Sequence, residues 1–235
     1  MVDKKLEKFD KDADNVKSNK QATYEELKIM LQNSPNDVEI AWRLARVCIQ
    51  LTCSYLKDND KDSAKSYAEQ AYEYAKQSVE LDSKKFESHR WFCAASGRLS
   101  FFVGTKDRIR LGYEFQTHYK KAVKINANDD LLHHMYGQWC YEVASLSFVE
   151  RKLASTFYSD PPTSSYDEAL QSLKKADQLR HQWKANQMWM AKTYIAMGNK
   201  DDAIACIQEG MSFPITNEDE QLAHKELNEL YNKYC

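Results

Sequence analysis

The chain has 235 residues, with 33 Lys and Arg against 35 Asp and Glu and a formal net charge of -2. This balance excludes a polyanion-binding chain and an acidic tail, so any electrostatic function must be local and no nucleic-acid partner is expected. Only six Gly and four Pro are present, and 43% of the residues are hydrophobic. The composition favours helices over turn-rich β architecture and allows one elongated domain with a sizeable core.

The first 20 residues alternate charged side chains and hold few apolar anchors. They lack the apolar core of a secretory signal, and no later stretch approaches the roughly 20 apolar residues of a membrane span. We therefore expect a cytoplasmic protein without a transmembrane segment, with a flexible segment at residues 1–20 and one helical repeat domain at residues 21–235. Tyr24, Leu27 and Leu31 are predicted to open the first packed helix.

Four predicted helices share a signature in which a small or apolar residue is followed seven positions later by a small residue. The four pairs are Ala71 and Ser78, Phe115 and Ala122, Ala169 and Ala176, and Ala203 and Gly210. The last two pairs are about 34 positions apart, the period of a helix-turn-helix repeat. The partner helices are predicted at Val38–Tyr55, Phe86–Phe102, Leu131–Thr156 and Ala185–Met197. Tyr136 and Gly137 fill the large-then-small position at which consecutive helices cross.

Insertions and a terminal helix complete this pattern. The predicted insertions are Lys57–Ser63, Gly104–Gly112 and Thr156–Ser165. The third holds Pro161 and Pro162 and must break the helix. Near the C-terminus, Thr216 ahead of Asp219 resembles the start of a capping box. A capping helix is predicted there, with an apolar face of Leu222, Leu227, Leu230, Tyr231 and Tyr234. The expected fold is an all-α, tetratricopeptide-like solenoid of antiparallel helix pairs with a C-terminal capping helix.

Several motifs together resemble one known family. They are the run His118-Tyr-Lys-Lys-Ala-Val-Lys-Ile, the run Tyr136-Gly-Gln-Trp-Cys-Tyr-Glu-Val-Ala144, the pair Pro161-Pro162, and the run Tyr166-Asp-Glu-Ala-Leu170. From about Trp42 to its C-terminus the chain is similar to the regulator of microtubule dynamics family. The resemblance implies binding to microtubules or spindle components, support of chromosome segregation in cell division, and a location on the cytoskeleton, spindle and spindle poles.

The same resemblance also implies an alternative location and ligand. Some members of the family carry an N-terminal membrane anchor and sit at mitochondria or the endoplasmic reticulum, and lipid transfer is described for their repeat domain. The sequence shows no such anchor. This favours the soluble, cytoskeletal form.

If the ligand is a microtubule, the attraction should come from basic clusters that face the acidic outer surface of tubulin, and it should weaken with salt. The partner-binding candidates are Arg98, Lys106, Arg108, Arg110, Lys120, Lys121 and Lys124. Asp107 and Glu114 dilute this cluster only partly. The alternative is that these side chains form an ordinary solvated helix rim. The functional interpretation predicts that reversing Arg108 and Arg110 to Glu weakens microtubule pelleting without unfolding the protein.

Other groups of side chains favour structural roles. The aromatic stretch Trp91–Phe102 is attributed to core packing, with a groove for lipid or an apolar peptide as the alternative. The six cysteines are expected to be reduced and mostly buried. His89 and Cys93 stand four apart on one helix, and His133, His134 and Cys140 lie on the next inner helix, but no paired ligand motif such as CxxC or HExxH accompanies them, so no metal site is predicted. Glu142 and Glu150 are predicted to lie on the same helix, where each takes part in an ion pair or a capped polar cluster inside the repeat. Direct contact with a partner is the alternative.

No nucleophile motif, phosphate-binding glycine loop or dinucleotide fingerprint is found, so no catalytic, cofactor or metal residues are predicted. Two functions compete with microtubule binding: an adaptor for a peptide or protein partner, and a lipid-binding repeat domain. A chaperone-type adaptor needs a clamp of basic and amide side chains on successive helices, for which Arg43, Arg90 and Asn186 are isolated candidates. The sequence therefore predicts a non-catalytic protein that holds a partner on its repeat surface.

Overall fold

The computed structural model describes residues 2–13, 15, 17–157 and 162–235, which form twelve helices and no strand. In chain order the helices are α1 (Val2–Ala13), α2 (Lys20–Asn33), α3 (Val38–Lys57), α4 (Lys61–Leu81), α5 (Phe86–Ser100), α6 (Thr105–Ile125), α7 (Asp130–Ser145), α8 (Phe148–Phe157), α9 (Tyr166–Leu179), α10 (Lys184–Met197), α11 (Lys200–Ser212) and α12 (Glu218–Tyr234). Of these described helices, none has the length and apolar character needed to span a bilayer. The prediction of an all-α fold is confirmed.

Four antiparallel helix pairs build the solenoid. α3 packs with α4, α5 with α6, α7 with α9, and α10 with α11. The first helix of each pair contacts the first helix of the next pair, so α3, α5, α7 and α10 form a continuous inner layer. The second helices, α4, α6, α9 and α11, form the outer layer. This is the architecture of tetratricopeptide-like repeats, as predicted.

The repeated signature is the surface on which the two layers meet. All eight of its positions are buried, from Ala71 and Ser78 on α4 to Ala203 and Gly210 on α11. At the predicted helix crossing, Gly137 lies so close to α9 that a Cβ in its place would be 2.5 Å from Leu173 Cγ. Small residues are needed here because they let the helix backbones approach closely.

Local signals set several helix ends. The side chains of Asp60 and Asp129 accept hydrogen bonds from backbone N–H groups in the first turns of α4 and α7. Ser165 and Glu168 form a complete capping box at the start of α9. α10 ends at Gly198, whose φ of 81° lies in the left-handed region that favours glycine. The helix boundaries thus follow from capping residues as well as from the apolar pattern.

The C-terminal helix α12 has a different capping residue from the one predicted. Asn217 is the cap and accepts from the Glu220 N–H at 2.9 Å. Thr216, the predicted cap, instead donates its N–H and its hydroxyl to the Glu220 carboxylate. On the predicted apolar face Leu227 is fully buried, but Tyr231 remains 42% exposed. The face is therefore only partly covered.

One prediction about helix continuity is wrong. The helix expected at Leu131–Thr156 is divided at Leu146 and Ser147 into α7 and α8. Arg151 stabilises the break because its guanidinium donates to the carbonyls of Ala144, at 2.7 Å, and Leu146, at 3.0 Å, near the end of α7. The apolar pattern runs through both helices and gave no sign of this break.

Two of the predicted insertions lengthen outer helices. α4 begins at Lys61, inside the insertion Lys57–Ser63, and α6 begins at Thr105, inside the insertion Gly104–Gly112. Both helices have 21 residues, against 13 in α11. In the third insertion, Pro161 lies outside the described residues. The irregular repeat lengths therefore come largely from long outer helices.

The first helix, α1, lies within the segment predicted to be flexible. Leu6 and Phe9 on this helix are buried, and Asp10 forms ion pairs with Arg43 at 2.5 Å and Arg46 at 3.6 Å on α3. The i, i+3 spacing of Leu6 and Phe9 gives α1 an apolar side that the charge pattern concealed. The flexibility of the segment concerns motion and stays a prediction.

The cysteines are free thiols, and five of the six are buried, as predicted. Burial raises the pKa of Cys206 to about 12 and that of Cys140 to about 11. Because the thiolate is the reactive form, these two side chains behave at neutral pH as small apolar residues.

Candidate partner-binding site

The concave side of the solenoid holds the chain's own C-terminal helix. α12 contacts α10 and α11, which precede it, and also α3 at the opposite end of the inner layer. Its Asp219 accepts a hydrogen bond from Arg98 of α5 at 2.8 Å and lies 3.7 Å from the Cys53 sulfur of α3. α12 therefore spans the groove in which repeat proteins of this kind bind peptides or helices.

Charge pairing contributes to the position of α12. Burial raises the pKa of Asp219, but the adjacent Arg98 guanidinium lowers it by more, so the net pKa is below its usual range. Lys192 of α10 pairs with Glu226 of α12 at 3.2 Å and also lies over the Trp189 ring. Basic groups of the inner layer that could face an acidic partner thus face α12 instead.

The three clamp candidates are also occupied by the chain itself. Arg43 forms an ion pair with Asp10 of α1 at 2.5 Å, and Arg90 forms one with Asp129 at 3.1 Å. Asn186 is fully buried, and its amide nitrogen donates to a backbone carbonyl of α9 at 3.0 Å. A clamp for a peptide carboxylate needs these groups to be open to the groove, so the structure disfavours the chaperone-type adaptor.

The structure separates the predicted basic cluster into two groups. The first group contains Arg98, Lys106, Arg108 and Arg110, around the turn between α5 and α6. Its arginines already have carboxylate partners: Arg108 pairs with Glu150 of α8, and Arg110 pairs with Glu114 at 2.8 Å. Arg98 is held by α12. The three arginines of this group therefore offer little unpaired charge to a partner.

The second group is Lys120, Lys121 and Lys124, an exposed set on the last two turns of α6 that we call the α6 patch. Within the described residues no ion pair involves these ammonium groups. No Asp or Glu occurs between positions 115 and 128. Burial lowers the pKa of the neighbouring His118 to about 4, and the charge of Lys121 contributes to the shift. The α6 patch is therefore a local concentration of positive charge.

Comparison with known proteins identifies the family. The family model described as Regulator of microtubule dynamics protein 1-3 matches residues 5–235. The chain belongs to this family. Regulator of microtubule dynamics protein 3 of Xenopus laevis is 35% identical over 185 residues, which are 78% of this chain and 39% of the relative. Regulator of microtubule dynamics protein 1 of Bos taurus is 30% identical over 188 residues, 79% of this chain and 59% of the relative.

This member of the regulator of microtubule dynamics family thus spans 39% to 59% of the length of those two relatives. Among solved structures, a thermophilic tetratricopeptide-repeat protein of Thermus thermophilus matches with a TM-score of 0.58. The match covers 89% of this chain and 90% of that one at 18% sequence identity. At this identity the likeness concerns the fold, and it agrees with the helix pairs described above.

The motif that carried the family resemblance, from Tyr136 to Ala144, is built into the core. Trp139 donates from Nε1 to the Gly112 carbonyl at 3.0 Å. The Tyr136 ring stacks on Tyr119 with 3.9 Å between ring centroids. Both contacts join α7 of the inner layer to α6 of the outer layer. Most of this family-specific pattern therefore serves packing.

The two glutamates expected on one helix lie on different helices, so that prediction is wrong. Glu150 accepts hydrogen bonds from the N–H and the hydroxyl of Ser147 at the start of α8, and it pairs with Arg108. It belongs to a capped polar cluster, as one alternative predicted. Glu142 on α7 is exposed and forms no salt bridge within the described residues. Its contact with a partner stays a prediction.

The histidine and aromatic residues singled out from the sequence belong mainly to the core. His89 donates from Nε2 to the Ser83 carbonyl at 2.9 Å, so its Nδ1 accepts from His118 at 2.8 Å. Within the described ranges, no three His, Cys, Asp or Glu side chains are grouped closely enough to hold a metal ion. Trp91 is buried and stacks parallel to Trp42, with 6.4 Å between centroids. Core packing accounts for this end of the aromatic stretch.

A further buried histidine, His134, lies where the inner helices α7 and α10 meet. Its ring nitrogens are 2.9 Å from Asn186 Oδ1 and 2.6 Å from the Gln138 amide. Burial lowers its pKa to about 4, although the hydrogen bond to Asn186 opposes the shift. The ring is therefore neutral at pH 7, with one nitrogen donating and the other accepting.

Proposed function

We propose that this chain is a non-catalytic microtubule-associated protein that binds microtubules or spindle components through its helical-repeat surface. In this role it supports microtubule dynamics and chromosome segregation. Its relatives at 30% to 35% identity are named regulators of microtubule dynamics. We expect it in the cytoplasm, on the cytoskeleton, the spindle and the spindle poles. Non-catalytic action fits a repeat protein whose buried thiols are poor nucleophiles.

The α6 patch is the observation that carries the binding mode. Its three lysines are exposed and have no neighbouring carboxylate in the sequence, whereas the arginines of the predicted cluster are already paired. The inner groove, the usual alternative surface of a repeat protein, is occupied by α12. A basic outer face is what an acidic partner surface attracts, with a strength that falls as salt is added.

Co-sedimentation with microtubules tests this proposal. The test variant carries Lys120→Glu, Lys121→Glu and Lys124→Glu, and it is measured at low salt and at about 0.15 M ionic strength. An exposed ion pair contributes up to about 1 kcal/mol, so reversing three charges should weaken binding at least about tenfold. The wild-type chain should also bind more weakly at the higher salt.

A matched control changes three exposed lysines outside the α6 patch, Lys61, Lys200 and Lys225, to Glu. Its net charge equals that of the test variant, so a general effect of charge would weaken both equally and would contradict the α6 patch as the site. No sedimentation of the wild-type chain at low salt would instead favour the adaptor function. Reversing Arg108 and Arg110 is a poorer test, because it also breaks their existing ion pairs.

A further inference from the structure

The N-terminal helix α1 lies on the domain in the way that a bound peptide helix does. One side of it is buried through Leu6, Phe9 and Ala13, whereas most of its charged side chains are exposed. Phe9 lines one small cavity together with Leu27 of α2 and Val47 of α3. A helix of 12 residues is marginal in water by itself, so this surface is what orders α1. We call the surface the α1 site; its polar members include Lys20, Glu26, Arg43 and Gln50.

The guanidinium of Arg43 is held by its own helix in a position to bind a carboxylate. It donates to the Glu39 carbonyl at 2.8 Å and to the Glu39 carboxylate at 2.9 Å, and it lies 4.0 Å from the centre of the Trp42 ring. Its other N–H groups donate to the Asp10 carboxylate of α1, through Nε at 3.0 Å and through Nη2 at 2.5 Å. Because Glu39 and Trp42 belong to α3, the orientation of Arg43 does not depend on α1. The α1 site is therefore preorganised for an acidic side chain.

The C-terminal end of α1 is bound through its backbone. Lys20 is only 6% exposed, and its ammonium donates to the carbonyls of Asp12 at 2.9 Å and Ala13 at 2.6 Å. The Gln50 amide donates to the same Ala13 carbonyl at 2.5 Å. The last carbonyls of any helix lack partners within the helix and carry partial negative charge. Lys20 and Gln50 therefore recognise a helix end whatever its sequence, and they fix the direction in which a helix lies.

Charges of both signs set the pattern of side chains that the α1 site accepts. One position before Leu6, Lys5 of α1 pairs with Glu26 of α2 at 2.8 Å. The complete pattern is a basic residue at the first position, apolar residues at the second and fifth, an acidic residue at the sixth and a small residue at the ninth. This mixture of signs matches an amphipathic helix of a protein. It disfavours a polyanion, which would meet the Glu26 carboxylate.

We propose that the α1 site binds an amphipathic helix of a protein partner that carries this pattern, in exchange for α1. The helix α1 then acts as an internal competitor, tethered at an effective concentration on the order of mM. Its buried side chains recur at the i, i+3 and i+7 positions by which helices are recognised in grooves. The α1 site includes none of the lysines of the α6 patch, so this inference is independent of the proposed function.

Fluorescence anisotropy tests the α1 site on the full chain, with a labelled peptide of residues 2–15 as the probe. The chain variant L6D/F9D places carboxylates on the buried side of α1 and should release this helix. We expect the peptide to bind the variant at least about tenfold more tightly than the wild-type chain, in which tethered α1 competes. Far-UV circular dichroism establishes that the variant is folded. If it is not, the milder chain variant Asp10→Ala takes its place, with an expected gain of about threefold or more.

Changes in the peptide test the contact with the carboxylate. A peptide with Asp10→Ala should bind the L6D/F9D chain at least about tenfold more weakly, because hydrogen bonds between charged groups are lost. A peptide with Glu7→Ala is the matched control, since it has the same change of charge at an exposed position and should keep full affinity. Adding Arg43→Gln to the chain should weaken the unchanged peptide but not the Asp10→Ala peptide, from which this contact is already absent.

No binding of the peptide to the released chain would overturn the α1 site, and so would equal affinities of the Asp10→Ala and Glu7→Ala peptides. Light scattering that shows a wild-type dimer, lost in L6D/F9D, would also overturn the proposal, because the occupant would then be α1 of a second copy. Microtubule sedimentation separates the two proposals. If sedimentation depends on the α6 patch but the peptide does not bind, the α1 site fails and the proposed function stands. If the peptide binds but microtubules do not sediment the chain, the proposed function fails and the α1 site stands.

Discussion

The contact at Gly137 gives a sharp prediction about stability. Alanine in a helix interior is favoured over glycine by about 0.8–1.0 kcal/mol, so Gly137→Ala would stabilise α7 if space allowed. The added Cβ, however, would lie 2.5 Å from Leu173 Cγ, 2.8 Å from Leu173 Cδ2 and 3.1 Å from the Ala169 carbonyl oxygen. Leu173 is fully buried and cannot swing into solvent. Such overpacking costs about 1–3 kcal/mol, so after the gain in helix propensity we expect a net loss of up to about 2 kcal/mol.

Gly97 supplies a matched control within the same fold. It is also a helix-interior glycine, on α5, but a Cβ built there meets nothing within 4 Å. Gly97→Ala should therefore stabilise the protein by about 0.5–1 kcal/mol, with the opposite sign to Gly137→Ala. The measurement is the urea midpoint by circular dichroism at constant m-value.

A double-mutant cycle identifies the group that the new methyl group displaces. Leu173→Ala alone should cost about 2–5 kcal/mol, but it should cost less in the Gly137→Ala background because the clash is relieved. A coupling energy near zero would show that Leu173 is not the obstacle. A Gly137→Ala variant as stable as Gly97→Ala would refute the close helix crossing itself.

Three further predictions concern buried groups and the terminal helices. His134 has a folded pKa of about 4, so its ring binds more protons in the unfolded state below about pH 6.5 and should lower stability by about 2 kcal/mol near pH 5. His134→Gln, unlike His133→Gln, should remove this share of the urea-midpoint profile and leave the share of His118, whose pKa is also about 4. Asp219→Ala should loosen the start of α12 and so speed chemical labelling of the buried Cys53 thiol, measured by peptide mass spectrometry. An unchanged labelling rate would contradict the role given to the contact between Arg98 and Asp219. Amide exchange should be faster in α1 than in α3 and faster still in Asp10→Ala; equal exchange in α1 and α3 would contradict the predicted flexibility of the N-terminal segment.

The repeat architecture could be predicted from the sequence because it depends on local periodicity. The buried pairs such as Ala71 with Ser78 and Ala203 with Gly210 mark the interface between layers, and the residues at such an interface must be small. The family could be predicted for a similar reason, since the Tyr136–Ala144 motif combines large and small residues that a specific crossing requires. Both signals lie within about two helical turns, so neither needs knowledge of distant contacts.

The parts that could not be predicted depend on contacts between residues far apart in the chain. Nothing local to Arg98 shows that its partner is Asp219, which lies 121 positions away. The same holds for Arg108 and Glu150, 42 positions apart, because their pairing depends on the break between α7 and α8. Counting basic residues along the sequence therefore overestimated the charge available to a partner. The α6 patch could have been distinguished by the absence of acidic residues from positions 115 to 128.

The arrangement of charge explains how a nearly neutral chain can still present a basic surface. The terminal helices contribute carboxylates that cover basic residues of the inner layer: Asp10 of α1 covers Arg43, and Asp219 of α12 covers Arg98. Charges paired in this way contribute little to the field outside the protein. A formal net charge of -2 is therefore compatible with exposed lysines on α6 that form no ion pair within the described residues. Because Asp10 and Asp219 pair with these arginines, we expect the outer layer, rather than the groove, to attract an acidic partner.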